Sequence, residues 1–120
     1  MGQFNHFFLT KFNVRSFPEL RPGCDPVWLE NRFRLFDRYC FPSVYNQSNQ
    51  NFKWLVFFDA DTPELFKQKI SEYATKWENF VPLYLDFPLP YGEFPAEARA
   101  VVRQVVSPDC EYLITTWLDN

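Results

Sequence analysis

Three acids stand where an apolar, β-type run gives way to polar sequence. Asp59 and Asp61 follow the run Trp54-Leu55-Val56-Phe57-Phe58, and Asp119 follows Tyr112-Leu113-Ile114-Thr115-Thr116-Trp117-Leu118. In an open α/β sheet, ligands are met beyond the carboxyl ends of the strands. Acids there can meet a ribose or a metal, because hard cations take carboxylate oxygens and Mg²⁺ bridges them to phosphates. Leu118-Asp119-Asn120 supplies the first acid of an Asp-x-Asp pair, the pair that holds a divalent cation on a nucleotide diphosphate; the second acid would be the next residue.

Asp59-Ala60-Asp61 admits three readings. An aspartyl-phosphate nucleophile motif, Asp-x-Asp-x-Thr/Val, is out of register, since Thr62 comes directly after the second acid and Pro63 follows. A nucleotide site would use a strand-end carboxylate to accept hydrogen bonds from a base or ribose. Alternatively, Asp61 or Thr62 simply caps the next helix. Asp59 is too far back to cap well, so a ligand role is expected of it. Arg99 and Arg103 are four residues apart on a predicted helix and share a face. Paired guanidinium groups suit diphosphate oxygens, and a solvated face pairing with Glu97 is the competing reading. Arg15 is either a phosphate contact or ordinary surface charge. The single histidine, His6, precedes a strand and reads as structural, and β propensity alone explains Thr115 and Thr116. No Ser/His/Asp or Cys/His arrangement can be built around one histidine, and no glycine-rich phosphate loop occurs.

These residues need a scaffold, and 120 residues make one domain; 47% hydrophobic with 21% aromatic content supplies a core and excludes a disordered chain. The net charge of −3, without a Lys/Arg run, gives no footprint for nucleic acid. No apolar stretch approaches the roughly 20 residues of a membrane span. The start, Met1-Gly2-Gln3-Phe4-Asn5-His6, lacks the basic start and apolar centre expected of a signal peptide, and His6 stands where myristoylation wants Ser or Thr. Cys24, Cys40 and Cys110 are odd in number and widely spaced, which predicts reduced thiols and a cytoplasmic protein rather than a zinc site.

Strands are predicted over residues 6–14, 52–59, 80–87 and 112–118. The second is continuously apolar, as in a strand buried on both faces; Pro82 points the third to a sheet edge. Asp25 as N-cap with Pro26 starts the first helix, whose face is Leu29, Phe33, Phe36 and Cys40, and Pro42 kinks or ends it. Thr62-Pro63 opens the second by the same device, with Phe66, Ile70, Tyr73 and Trp77 inward. The third begins at Pro95, with Ala98, Val101, Val102 and Val105 inward. The order βαβαβαβ predicts a three-layer α/β domain around a mostly parallel sheet.

The segments Thr10-Lys11-Phe12-Asn13, Phe52-Lys53-Trp54-Leu55-Val56-Phe57-Phe58-Asp59 and Leu113-Ile114-Thr115-Thr116-Trp117-Leu118-Asp119-Asn120, with the interval from Arg103 to Asp119, resemble the rhamnosyl transferases, bacterial proteins of the A-type glycosyltransferase fold. The resemblance implies strand order 3-2-1-4, with the sugar-nucleotide site between the first and fourth strand ends. It implies that Thr10, Phe12 and Asn13 line the nucleoside, that Asp59 meets the base or ribose, that Arg99 or Arg103 meets the diphosphate, and that Asp119 begins a site for Mg²⁺ or Mn²⁺. Two residues depart from the family pattern: Trp117 and Lys11 each stand where it has Arg.

Residues 1–120 are therefore expected to be the nucleotide-sugar-binding half of a glycosyltransferase, moving an activated deoxysugar such as rhamnose. The second acid and the acceptor half would lie beyond Asn120, so the piece is expected to be inactive alone. The rival expectation is a non-catalytic α/β remnant or interaction module. Either way, strand 112–118 is long, apolar and without charge, Pro or bulge, which predicts self-association through its edge or fraying that leaves residues 112–120 mobile.

Overall fold

The structure, a computed structural model, describes residues 4–14, 24–86, 94–106 and 112–118. Strands β1 (Phe4–Lys11), β2 (Lys53–Asp59), β3 (Phe80–Leu85) and β4 (Tyr112–Trp117) form one sheet in the order β3-β2-β1-β4. Every pairing is parallel: Leu9 lies opposite Leu55 and Trp117, and Phe57 opposite Leu83. Helices α1 (Pro26–Leu35), α2 (Phe41–Tyr45), α3 (Glu64–Lys76) and α4 (Phe94–Val105) make the connections. The α/β architecture and the strand order are those expected, and Pro82 does sit on an edge strand. β1 begins earlier than its apolar pattern suggests, because Phe4 already pairs with Tyr112, and it ends earlier, at Lys11.

Side chains alternate across the sheet and divide the core in two. On one face Phe8, Trp54, Val56 and Phe58 pack under α1 and α3, against Leu29, Phe33, Ile70 and Tyr73. On the other, Phe7, Leu9, Leu55 and Phe57 pack under α4, against Ala98 and Val102. The first layer is largely aromatic. The Phe33 ring lies 4.7 Å from Phe12 and 5.5 Å from Phe66, and Phe36 stacks on Trp54 at 5.5 Å.

Asp25 caps α1 as its sequence predicts: its carboxylate accepts from Trp28 N–H at 3.0 Å, and Pro26 takes the first turn. Pro42 acts differently from a simple stop. It has no N–H to bond back to Arg38. The helix widens just ahead of it into a π turn, Phe36–Cys40, where Phe41 N–H donates to Phe36 C=O. The extra residue corrects the predicted stripe: Phe41, not Cys40, enters the core, and Cys40 is left half-buried at its rim. Burial pushes the Cys40 thiol up to about 11, against a smaller pull from Arg32, which disfavours its thiolate near neutral pH. Val105 is a second correction. On α4 Ala98 and Val102 are buried and Val101 packs beside them, with Val106 just past the helix end, whereas Val105 falls on the flank, 40% exposed.

The π turn also presents Asp37 to α3. Its carboxylate accepts from Lys69 Nζ at 2.6 Å and from the Tyr73 hydroxyl. Burial, then the hydrogen bond to Asp37, raises the Tyr73 phenol far above its ordinary value.

This packing leads to two expected outcomes. Phe33→Ala should lower unfolding free energy by about 3–5 kcal/mol, whereas Leu65→Ala, at a site 73% exposed, should change it by less than about 0.5 kcal/mol; equal shifts in urea titrations would refute the assignment of the core. For Tyr73 the raised value means that its contribution is complete below pH 10 and is lost as pH climbs above it. Tyr73→Phe should cost about 1 kcal/mol at pH 7 through the lost bond to a partly exposed Asp37. The gap between parent and variant should then narrow above pH 10, and a gap that widens there would contradict the sign.

Candidate functional site

The carboxyl ends of β1 and β2 are tied by one amide. The Asp59 N–H donates to Asn13 Oδ1 at 3.0 Å, and Asn13 Nδ2 donates to Thr62 Oγ1 at 3.0 Å. Thr62 Oγ1 in turn donates to Asp59 C=O at 2.6 Å, and Asp61 N–H donates to Asp59 Oδ1 at 2.9 Å. Asp59 is therefore enclosed, 0% exposed, and folds its own turn; Asn13 and Thr62 are buried beside it. Neither Asp61 nor Thr62 caps the following helix, contrary to one reading of the sequence. Pro63 stands at the N-cap of α3 without a side-chain bond, because the Thr62 hydroxyl is engaged behind it by Asn13 and Asp59.

Thr10 and Phe12 also point inward. Thr10 is fully buried and its hydroxyl accepts from the Trp54 indole N–H at 2.8 Å. Phe12 packs on Phe33 and on Phe58, 4.9 Å away. The Phe12 backbone N–H continues the ladder to Phe57 C=O at 2.9 Å. Thus Thr10, Phe12, Asn13 and Asp59 come together at one end of the sheet, with the Asn13 amide nearest that end. This bonding was not visible in the sequence, since Trp54 and Thr10 are 44 residues apart and show no pattern.

The α4 arginines lie beside β4. Arg99 and Arg103 wall a groove of about 440 Å³ between α4 and β4, floored by Leu9, Leu113, Thr115 and Trp117. Both are exposed, and neither has an ion pair or hydrogen bond with another described residue. As the crossover between parallel strands, α4 runs back along the sheet, so Arg99 is the nearer to the strand carboxyl ends and Arg103 is one turn, about 6 Å, further away. His6 bridges β1 to β4 through Nε2 and Thr116 Oγ1, 3.0 Å apart, a structural placement. Arg15 and Asp119 lie outside the described residues. Among the described residues no group of three or more His, Cys, Asp or Glu could hold a metal ion, and no helix is long and apolar enough to cross a membrane.

A parallel sheet ordered 3-2-1-4, with the β1 and β4 ends side by side, defines an α/β protein of the doubly wound kind. Residues 21–119 match the family model described as "Putative rhamnosyl transferase", and the chain belongs to that family. The match begins after β1, so Thr10, Phe12 and Asn13 precede it, while Asp59, Arg99, Arg103 and Asp119 fall within it. No curated protein and no solved structure gives a significant match.

The inward bonding makes a stability prediction. Asn13→Ala leaves the buried Asp59 N–H unsatisfied, and Thr10→Val does the same to the Trp54 indole. Each should lower unfolding free energy by about 1–3 kcal/mol. Chemical denaturation of both variants, showing changes under about 0.5 kcal/mol, would contradict these roles.

Proposed function

We propose that this chain carries the donor side of a glycosyltransferase that moves a deoxysugar such as rhamnose from a nucleotide diphosphate to an acceptor. The observation that carries the reading is topological. From β1 the chain winds through β2 and β3 to one side, and then crosses to β4 on the other. The reversal leaves a crevice outside the carboxyl ends of β1 and β4, the place where open α/β sheets bind ligands. Membership of the rhamnosyl transferase family supports a sugar donor there.

In this reading Asn13 and Asp59 shape the floor that meets the nucleoside, and Arg15, following β1, meets the diphosphate. Asp119, following β4, is a hard oxygen ligand of the kind Mg²⁺ or Mn²⁺ takes. Such a cation, when bound, neutralises charge on the leaving diphosphate. Asp59 has two duties, since one of its oxygens already holds the Asp61 N–H. Replacing it should disturb both turn and ligand, so the conservative amide is the informative change.

Calorimetric titration with nucleoside diphosphates and their sugar conjugates tests the assignment. Saturable binding is expected, weakened about tenfold or more by Asp59→Asn, the equivalent of one charge-assisted hydrogen bond of about 1.5–3 kcal/mol. Circular dichroism of the variant separates lost binding from lost fold. Absence of binding at millimolar ligand by the folded parent, or equal affinity for a folded Asp59→Asn variant, would reject the donor site.

A further inference from the structure

The turn that follows β2 is held from behind at each of its backbone N–H groups. Asp59 N–H donates to Asn13 Oδ1, Ala60 N–H to Leu85 C=O at 2.8 Å, Asp61 N–H to Asp59 Oδ1 and Thr62 N–H to Asp59 C=O at 3.0 Å. The turn therefore takes its position from the end of β1 and the end of β3. One side-chain atom closes these bonds into a ring. Thr62 Oγ1 accepts from Asn13 Nδ2 and donates to Asp59 C=O. A hydroxyl can do both through a single oxygen. Its proton goes to Asp59 C=O, which leaves a lone pair for Asn13. The Asn13 amide must then present Nδ2 to Thr62 and Oδ1 to Asp59 N–H. Thr62 is 3% exposed and Asn13 4%, so bulk water cannot readily replace either bond.

We infer that Thr62 is a positioning residue of the donor crevice: its hydroxyl fixes the Asn13 amide, and through it the Asp59 turn, without touching the nucleotide. This role rests on the donor reading given above. Without the hydroxyl, Asn13 Nδ2 and Asp59 C=O each lose a partner in a buried place. The Asn13 amide is then no longer held to one orientation, and its bond to Asp59 N–H loosens. The turn, which carries the exposed Asp61 side chain, shifts with it. A site whose supporting bonds are loosened binds more weakly although every group that meets the ligand is still present. A hydroxyl that served stability alone would leave affinity unchanged, and this difference is what an experiment can read.

The test is calorimetric titration of the 120-residue protein with UDP, GDP and dTDP in the presence of Mg²⁺. Thr62→Val keeps the branched shape and removes the hydroxyl. It should weaken whichever diphosphate the parent binds by about tenfold. Thr62→Ser returns the hydroxyl and should restore most of the affinity. Thr62→Val combined with Asp59→Asn should lose little more than Asp59→Asn alone, because both act through one turn, whereas independent sites would multiply their losses. Ile70 is fully buried in α3 and supplies the control for stability. Whichever of Ile70→Val and Ile70→Ala matches Thr62→Val more closely in urea titration should bind as the parent does. Circular dichroism checks each fold, and Thr62→Ala replaces a Thr62→Val variant that does not fold. Parental affinity in the folded hydroxyl-free variant would overturn the assignment. So would a serine variant as weak as the valine one, multiplied losses in the double variant, or an equal loss in the Ile70 control. A parent that binds none of the three diphosphates overturns the donor reading itself, and this role with it.

Discussion

Trp54, Leu55, Val56, Phe57 and Phe58 run through the middle of the protein with almost no surface in water. This burial is the constraint on which the other elements depend. A strand apolar on both faces needs cover on both, and a strand with two bonding edges needs a neighbour on each. β1 and β3 satisfy the edges, α1 and α3 close one face, and α4 closes the other. Fully burying a large apolar side chain is worth about 1.5–3 kcal/mol. Five in succession make this run the strongest local contribution to the fold. Its last residue, Asp59, is carried into the same dry interior, and its polar groups find partners in Asn13 and Asp61.

The sequence makes those elements legible whose cause is local. An unbroken apolar run predicts β2, Asp25 before Pro26 predicts the start of α1, and Pro82 predicts an edge. Alternation of strands with helices predicts the parallel sheet, and the order 3-2-1-4 came from family resemblance rather than from periodicity. What escapes is set by partners distant in the chain. Thr62 has a capping residue's chemistry and a capping residue's position, yet its hydroxyl is claimed by Asn13, 49 residues away. Cys40 has the right spacing for the core until one added residue in the π turn rotates Phe41 into its place. Of the candidate site residues, the sequence could name acids and arginines but not their surroundings. Asp59 turns out to be enclosed, and Arg99 and Arg103 wall a groove beside β4.

Two regions thus differ in character. At the carboxyl ends of β1 and β2 the polar groups are buried and bonded to one another, a rigid frame on which a small ligand can be oriented. Beside β4 the charged groups are exposed and unpaired among described residues, with apolar surface between them. The two share β4, whose carboxyl end adjoins the first region and whose open face floors the second.

The pairing of β1 with β4 has a consequence for how the protein comes to be. His6 and Thr116 are 110 residues apart in the chain yet touch across adjacent strands. Contacts of such long range form slowly, because the intervening chain must be confined before they return any stability. On the ribosome β1 is the first of the four strands to emerge and its β4 partner the last, so one edge of β1 stays open while the others are made. β1 can dock on β2 and α1 early, but its second neighbour arrives only after β3 and α4 are out. A nascent chain of this design passes through a three-stranded stage with an apolar strand edge exposed, and that stage is where chaperones would engage it.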